Sequence, residues 1–308
     1  MGATYLLEHI AGCFLFDEHL ALVESGPPEG KEKEAFLKTH ASAVPLSYPA
    51  RAIQLRRALA AIASKIPKGG LRAANLARTR HDVKHAVSDD FLIVQAVKSI
   101  EDLDKVLNSL AIRLRDWYEF YLPEYSVSQP DHAEFVRGVV ETTKEQFLSG
   151  KKTDSFGADL GKPHIAAMKQ FAERLLGLYA AKQELERYVD STMKTICPNL
   201  RAVAGSTLGA KLLEHAGTLK RLVELPSSTV QILGAEKALF RHLKTGSRPP
   251  KYGVLLAHDA VQSAPKGRQG RAARILADKI SIAVRIDYFK GQFKGDALLE
   301  EARKKIAQ

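Results

Sequence analysis

The stretch Pro163–Ile196, PHIAAMKQFAERLLGLYAAKQELERYVDSTMKTI, decides the fold. Met168, Phe171, Leu175, Leu178, Lys182, Leu185, Val189, Thr192 and Ile196 follow one another at alternating steps of three and four. That spacing keeps them on one stripe of an α-helix, with charged residues on the other faces. Upstream, Ile93, Ala96, Ile100, Leu103, Leu107, Leu110, Leu114, Trp117 and Tyr121 repeat the pattern. Each segment is about 30 residues, so each helix spans about 45–50 Å. Two such seams predict an antiparallel helical hairpin, closed by Pro123 at the end of the first helix and by a bend over 149–162. A further helical region starts near Asp131. The pattern fits a hairpin packed only on itself, and equally one joined to a second copy. In the latter case Leu175, Leu178, Lys182, Leu185 and Val189 form the dimer seam, and polar Lys182 sets its register.

On either side of the hairpin the chain changes character. Residues 1–85 read as a small α/β domain. Tyr5–Phe16 and Leu20–Val23 read as strands flanking a turn at Asp17-Glu-His19. Helical patterns follow at 31–39 and 50–65, and Gly26–Gly30 and Lys68-Gly-Gly70 act as breaks. Residues 86–196 form the coiled-coil region. Residues 197–308 read as a compact helical domain with a small-residue face at Ala202, Ala204, Gly205, Gly209 and Ala210. A capping box at Ser228 and Gln231 would start one helix there. A turn is expected at Thr245–Pro250, and Arg271–Tyr288 is the last long helical stretch. The expected class is mostly α, with a small α/β domain, a long antiparallel hairpin and an all-helical end.

Charge is distributed as unevenly as the elements. The 308 residues carry a net charge of +11, and all of that excess lies in residues 199–308. Localised positive charge marks a polyanionic partner. No apolar run approaches the roughly 20 residues a bilayer requires, and the first residues carry no secretion signal. Cys13 and Cys197 have no partners at ligand spacing and read as buried thiols. Enzyme signatures fail. Gly157–Pro163 has the wrong spacing for a phosphate-binding loop, and Pro163 stands where a magnesium-binding hydroxyl belongs. His81 and His85 are four apart without a third ligand. No catalytic, metal or cofactor-binding residue is expected.

Two basic clusters remain. In Gly234-Ala-Glu-Lys-Ala-Leu-Phe-Arg-His-Leu-Lys244, Lys237, Arg241 and Lys244 share a helix face suited to phosphates. Gly234 would open the helix and leave N–H groups free for an anion, while Ala238, Leu239 and Leu243 face the core. The same pattern fits an ordinary amphipathic helix with a solvated basic face. Lys266-Gly-Arg-Gln-Gly-Arg271, with Arg274, Lys279 and Arg285 beyond it, reads as a basic loop leading into a helix. It can wrap a nucleic-acid backbone or simply connect.

These segments carry a resemblance. Leu225–Lys244 and Pro249–Val254 resemble the Nop domain signature. Gly270–Arg274 and Lys279–Asp287 resemble its closing helix, Cys197-Pro-Asn-Leu200 its opening, and Leu114–Glu124 the family's coiled-coil motif. The resemblance covers about 90–290. It implies a non-catalytic scaffold of an archaeal box C/D ribonucleoprotein, in which the Nop domain grips kink-turn guide RNA together with its small ribosomal-protein-like binder. It also implies that the coiled coil joins two copies and that the N-terminal domain holds fibrillarin, the RNA 2'-O-methyltransferase. The residues expected at RNA are Gly234, Ala235, Glu236, Lys237, Arg241, Lys244, Lys251, Arg268, Arg271 and Arg274. The ending Lys304–Gln308, without the long charged tail of eukaryotic relatives, points to an archaeal cytoplasmic protein. A related splicing factor, a nucleic-acid-modifying enzyme and a membrane-surface adaptor are the competing readings.

Overall fold

In the computed structural model, which describes residues 3–28, 30–63, 68–149 and 155–307, the apolar run near the start makes two strands rather than one. β1 (Tyr5–His9) turns at Ile10-Ala11 into β2 (Gly12–Phe16), and β3 (Leu22–Gly26) follows. Ile10-Ala11 is apolar, so the turn does not announce itself. Gly12 makes it, at φ 149°, a region that residues with a Cβ rarely adopt. The expected turn at Asp17 is present, its carboxylate accepting the His19 and Ala21 N–H groups at 2.9 and 2.8 Å. The sheet order is β3-β2-β1-β4, with β4 (Val44–Pro45) parallel to β1. α1 (Lys31–Thr39), α2 (Ala52–Ala63) and α3 (Lys68–Ala86) accompany it. Leu7, Phe14, Phe16 and Leu46 pack with Ala58 and Ile62 of α2 in one core. The Lys68–Gly70 stretch does not break a helix but begins α3, and residues 64–67 lie outside the described residues.

The chain divides into two compact units, Met1–Val87 and Ser88–Gln308. The second begins with the hairpin helix α4 (Asp89–Tyr118), continues through α5 (Pro123–Ser128), α6 (His132–Glu141) and α7 (Lys144–Leu148), and returns along α8 (Lys162–Ile196). Ile93, Ala96 and Val97 share a core with Val189 and Met193. Leu107, Ala111 and Leu114 share another with Met168, Ala172 and Leu175. The pairing is therefore antiparallel, as the seams require. Each fully buried Leu, Ile or Met side chain stabilises it by roughly 1.5–3 kcal/mol.

Two expectations about the hairpin change. The helix ends at Tyr118, and Pro123 starts α5 instead of stopping α4. Proline suits a first helical position because its missing N–H has no partner there. Trp117, still within α4, is exposed, and Tyr121 is buried in the loop. The far end is no simple bend. Tyr118 meets Tyr125 and Phe135 edge-on at 5.9 and 5.8 Å. Arg115 lies 4.3 Å over the Phe135 ring and donates to the Ser126 carbonyl at 2.6 Å. Residues 150–154 of the expected bend lie outside the described residues. The seam residues turn toward α4 of their own chain, as a hairpin packed on itself requires. Leu175 and Val189 are buried there, Leu178 and Leu185 are half-buried, and Lys182 reaches Asp104 of α4 at 2.6 Å.

The C-terminal helices are α9 (Pro198–Ala204), α10 (Ser206–Ala216), α11 (Leu219–Glu224), α12 (Ser227–Ile232) and α13 (Glu236–Thr245). A 3-10 turn (Val254–Ala257), α14 (Asp259–Gln262), α15 (Gln269–Tyr288) and α16 (Gly295–Ala307) complete the chain. α15 is the axis. Leu276, Ala277, Ile280, Ala283 and Val284 are fully enclosed. At its end the buried Asp287 accepts the Asn199 and Leu200 N–H groups at 3.0 and 2.8 Å and the Asn199 amide at 2.7 Å. That carboxylate satisfies donors that the start of α9 would leave unpaired, and it complements the positive end of that helix. From the small-residue face, Ala204, Gly209 and Ala210 are buried, and Gly205 is the exposed joint between α9 and α10. Cys13 and Cys197 are both buried and free, and burial pushes the Cys197 thiol up to about 12. Among the described residues no helix is long and apolar enough to cross a membrane.

Candidate nucleic-acid interface

The basic clusters of the second unit occupy two kinds of ground. α13 carries Lys237, Arg241 and Lys244, all exposed, and buries none of its own residues. The expectation that Leu243 faces the core does not hold. Leu243 and Phe240 are 68% and 61% exposed, while Ala238 and Leu239 are half-buried. α13 is an outlying helix with cations and large apolar groups side by side.

Its entrance is set by the Gly234 turn. Gly234 has φ 82°, and a Cβ there would come within 2.5 Å of Val254 Cγ1. Only glycine fits both the left-handed backbone and this approach. The helix opens one residue later than expected, with Ala235 at the cap and Glu236 first. The Gly234 N–H is not free for an anion, because it donates to Glu236 Oε1 at 2.7 Å. Burial raises the Glu236 pKa, but hydrogen bonds from the Gly234 and Glu236 N–H groups and the nearby His215 outweigh it and hold the carboxyl below its ordinary value. Glu236 thus acts on the turn and offers negative charge, not a phosphate contact. Gly246, left-handed at φ 67°, ends the helix.

The second ground is a groove of about 690 Å³ between the 248–251 segment and the start of α15. Arg248, Lys251, Arg271 and Arg274 line it, and no carboxylate does. None of these four forms an ion pair among the described residues, so the groove presents unneutralised charge. Its walls are held by a residue expected in another role. Gln231 makes no capping box; it is buried, and its amide donates to the carbonyls of Lys251 at 2.6 Å and Gly270 at 3.2 Å. One side chain thereby joins α12 to both banks. The lack of a side chain on Gly270 lets the Lys251 stem lie close, its Cβ 3.3 Å from where a Gly270 Cβ would be.

The expected residues therefore sort spatially. Lys237, Arg241 and Lys244 share α13, and Lys251, Arg271 and Arg274 share the groove. Arg268 does not join them and lines a separate depression with Asp259 and Arg303. Arg248 and Gln231 were missing from the expected set. Arg248 stands three residues past the end of α13, linking the two grounds along the chain. The surface suits a polyanion's phosphates, which supply most nucleic-acid affinity. Among the described residues no group of three or more His, Cys, Asp or Glu could hold a metal. His81 and His85 instead stack on each other, with ring centroids 4.0 Å apart.

A family model, Nop, described as a snoRNA binding domain, fibrillarin, matches residues 99–308. A NOP5 family protein of Methanocaldococcus jannaschii is 37% identical over 241 residues, covering 73% of this chain and 58% of the relative. Nucleolar protein 58 of Candida albicans is 37% identical over 229 residues, covering 68% of this chain and 44% of the relative. The chain thus spans about half the length of the curated relatives it matches. A solved fibrillarin/Nop5p complex contains a chain 25% identical to this one, with a TM-score of 0.48 over 98% of each.

Proposed function

This chain belongs to the Nop family, and on that premise we propose that it is a non-catalytic RNA-binding scaffold of a box C/D ribonucleoprotein. The carrying observation is the unneutralised cationic surface within the matched region, made by Lys237, Arg241 and Lys244 of α13 with Arg248, Lys251, Arg271 and Arg274 of the groove. In this reading the cations take phosphates of a kink-turn guide RNA. Exposed Phe240 and Leu243 meet the ribosomal-protein-like binder that shares the RNA. The division of labour follows the three segments 1–85, 86–196 and 197–308: the first holds fibrillarin, the second joins two copies, the third grips RNA. The scaffold does no chemistry. It fixes the distance between the guide-paired target and the methyltransferase, which replaces a chance encounter by a held geometry. Its setting is the cytoplasm of an archaeal cell.

Because Leu175 and Val189 are enclosed by α4 of the same chain, self-association requires whole hairpins to meet, not α8 alone. Light scattering of the full chain reads this directly, with twice the monomer mass expected and a monomer mass opposing it. The main test is a mobility shift of the full chain on kink-turn RNA, with and without the ribosomal-protein-like binder, across a salt series. A supershift that needs the small protein and weakens with salt is expected. No shift under any condition contradicts the reading.

A further inference from the structure

Beyond the surfaces already assigned, the turn between α15 and α16 exposes an interleaved run, Tyr288-Phe-Lys-Gly-Gln-Phe-Lys294. Phe289 is 73% and Phe293 54% exposed, although both sit beside the best-packed helix of the unit. The turn is also held firmly. Gly291 N–H donates to the Ile286 carbonyl at 2.8 Å, and Lys290 N–H to that of Asp287 at 3.2 Å. Lys294 N–H donates to Asn199 Oδ1 at 2.6 Å. Gly295 is pressed against α9, where a Cβ would come within 2.5 Å of Ala202 Cβ. Lys290 adopts a left-handed backbone at φ 54°, a conformation usually left to glycine or asparagine.

Charge and geometry select the partner. Arg285, Lys290 and Lys294 are exposed and form no ion pair among the described residues. The exposed face of α15 runs Arg271, Arg274, Asp278, Ile282, Arg285, Phe289, each step three or four residues, so these share one stripe. Asp278 on that stripe and Asp296 beyond the turn are the opposing carboxylates. The stripe starts in the cationic groove and reaches the rings about 27 Å later at the α-helical rise. A protein-docking patch would be contiguous and apolar, with charge depleted at its centre. Here a cation flanks each ring. Rings offering π-faces among cations suit unpaired nucleotides, whose bases stack while their phosphates are neutralised. A duplex cannot use the rings, because its base faces are already stacked.

We propose that this turn is a binding platform for single-stranded nucleic acid, in which bases stack on Phe289 and Phe293 and phosphates meet Arg285, Lys290 and Lys294. Held against the end of α15, it receives the unpaired strand that continues from RNA lying in the groove. The platform is an additional site, and its test separates it from the groove.

The test measures fluorescence anisotropy of the full chain with a labelled twelve-nucleotide oligouridylate, the matching abasic strand and a twelve-pair RNA duplex. Phe289→Ala with Phe293→Ala is expected to weaken oligouridylate binding by at least about ten-fold. Duplex binding stays within about two-fold, and the abasic strand binds the natural protein as weakly as the variant binds oligouridylate. Lys251→Ala with Arg274→Ala gives the reverse pattern, weakening duplex binding first. Unchanged oligouridylate affinity in the phenylalanine variant, or equal affinity for the abasic strand, overturns the platform and leaves the groove untouched. Phe289→Trp, made together with Trp117→Phe so that it carries the chain's one tryptophan, preserves a ring and supplies a second readout. Its emission is expected to be quenched by oligouridylate. Emission indifferent to the oligonucleotide but blue-shifted by phosphatidylserine vesicles would overturn the proposal in favour of a lipid surface.

Discussion

α13 and α15 carry most of the candidate interface, and they are built in opposite ways. α15 encloses Leu276, Ala277, Ile280, Ala283 and Val284 and ends on a buried carboxylate that caps another helix. α13 encloses nothing and is fixed at its two ends, by the Gly234 turn and by Gly246. In α15 the cations stand on a helix that the core would hold in place without them. In α13 the cations and the large side chains of Phe240 and Leu243 face outward together, so the helix has more surface to offer than the fold needs. The lesson is that the same periodic spacing serves packing in one helix and recognition in the other, and periodicity does not separate them.

The largest effect that tests this contrast is a pair of equal substitutions. Leu276→Ala is expected to destabilise the chain by about 2–5 kcal/mol in urea unfolding, as cavity formation at an enclosed site requires. Leu243→Ala on α13 is expected to change stability by less than about 0.5 kcal/mol. Comparable losses at the two positions would mean that α13 is packed after all. Next in size is Gln231→Ala, which strands the Lys251 and Gly270 carbonyls. A cost of about 1–3 kcal/mol is expected, together with weaker RNA binding as the groove banks loosen. Loss of stability without loss of binding would detach Gln231 from the interface.

How much of this the chain declares beforehand differs by element. The two long seams are readable because a three-four spacing of large apolar residues over about 30 positions has few other meanings. The aromatic assembly at the far end of the hairpin is not, since Tyr118, Tyr125 and Phe135 come together only after three short helices turn on themselves. Pro123 misled because proline stops one helix and starts another with the same chemistry. At the interface, Lys237, Arg241 and Lys244 are visible as a stripe. Arg248 is not, because it becomes part of a groove only when 248–251 is laid beside 267–274. The Ser228–Gln231 spacing looked like a cap, but the Gln231 amide found two longer-range carbonyls. Leu243 fell on the apolar side of the helical pattern, and nothing in the spacing says that side has no core to face.

A smaller effect concerns the turn that sets α13. The Glu236 pKa is held below its ordinary value, so the folded form binds the proton less readily than the unfolded chain. Its contribution is complete above the unfolded value of about 4.3 and is lost as pH falls through the lowered folded value. Hydrogen exchange at the Gly234 amide is expected to accelerate, after correction for intrinsic rates, only as acid passes below that ordinary range. Acceleration already near neutral pH would place the turn under another control.

The most direct test of the central claim is the salt dependence of RNP assembly by the full chain carrying Lys237→Ala and Arg241→Ala, read beside its urea midpoint. If α13 is a recognition helix, the midpoint moves little and the unfolding free energy stays within about 0.5 kcal/mol of the natural chain. Assembly weakens, and the slope of log affinity against log salt falls by about two, one for each phosphate left without its cation. An unchanged slope and affinity, or a midpoint that drops with them, would contradict the account and return α13 to ordinary solvated structure.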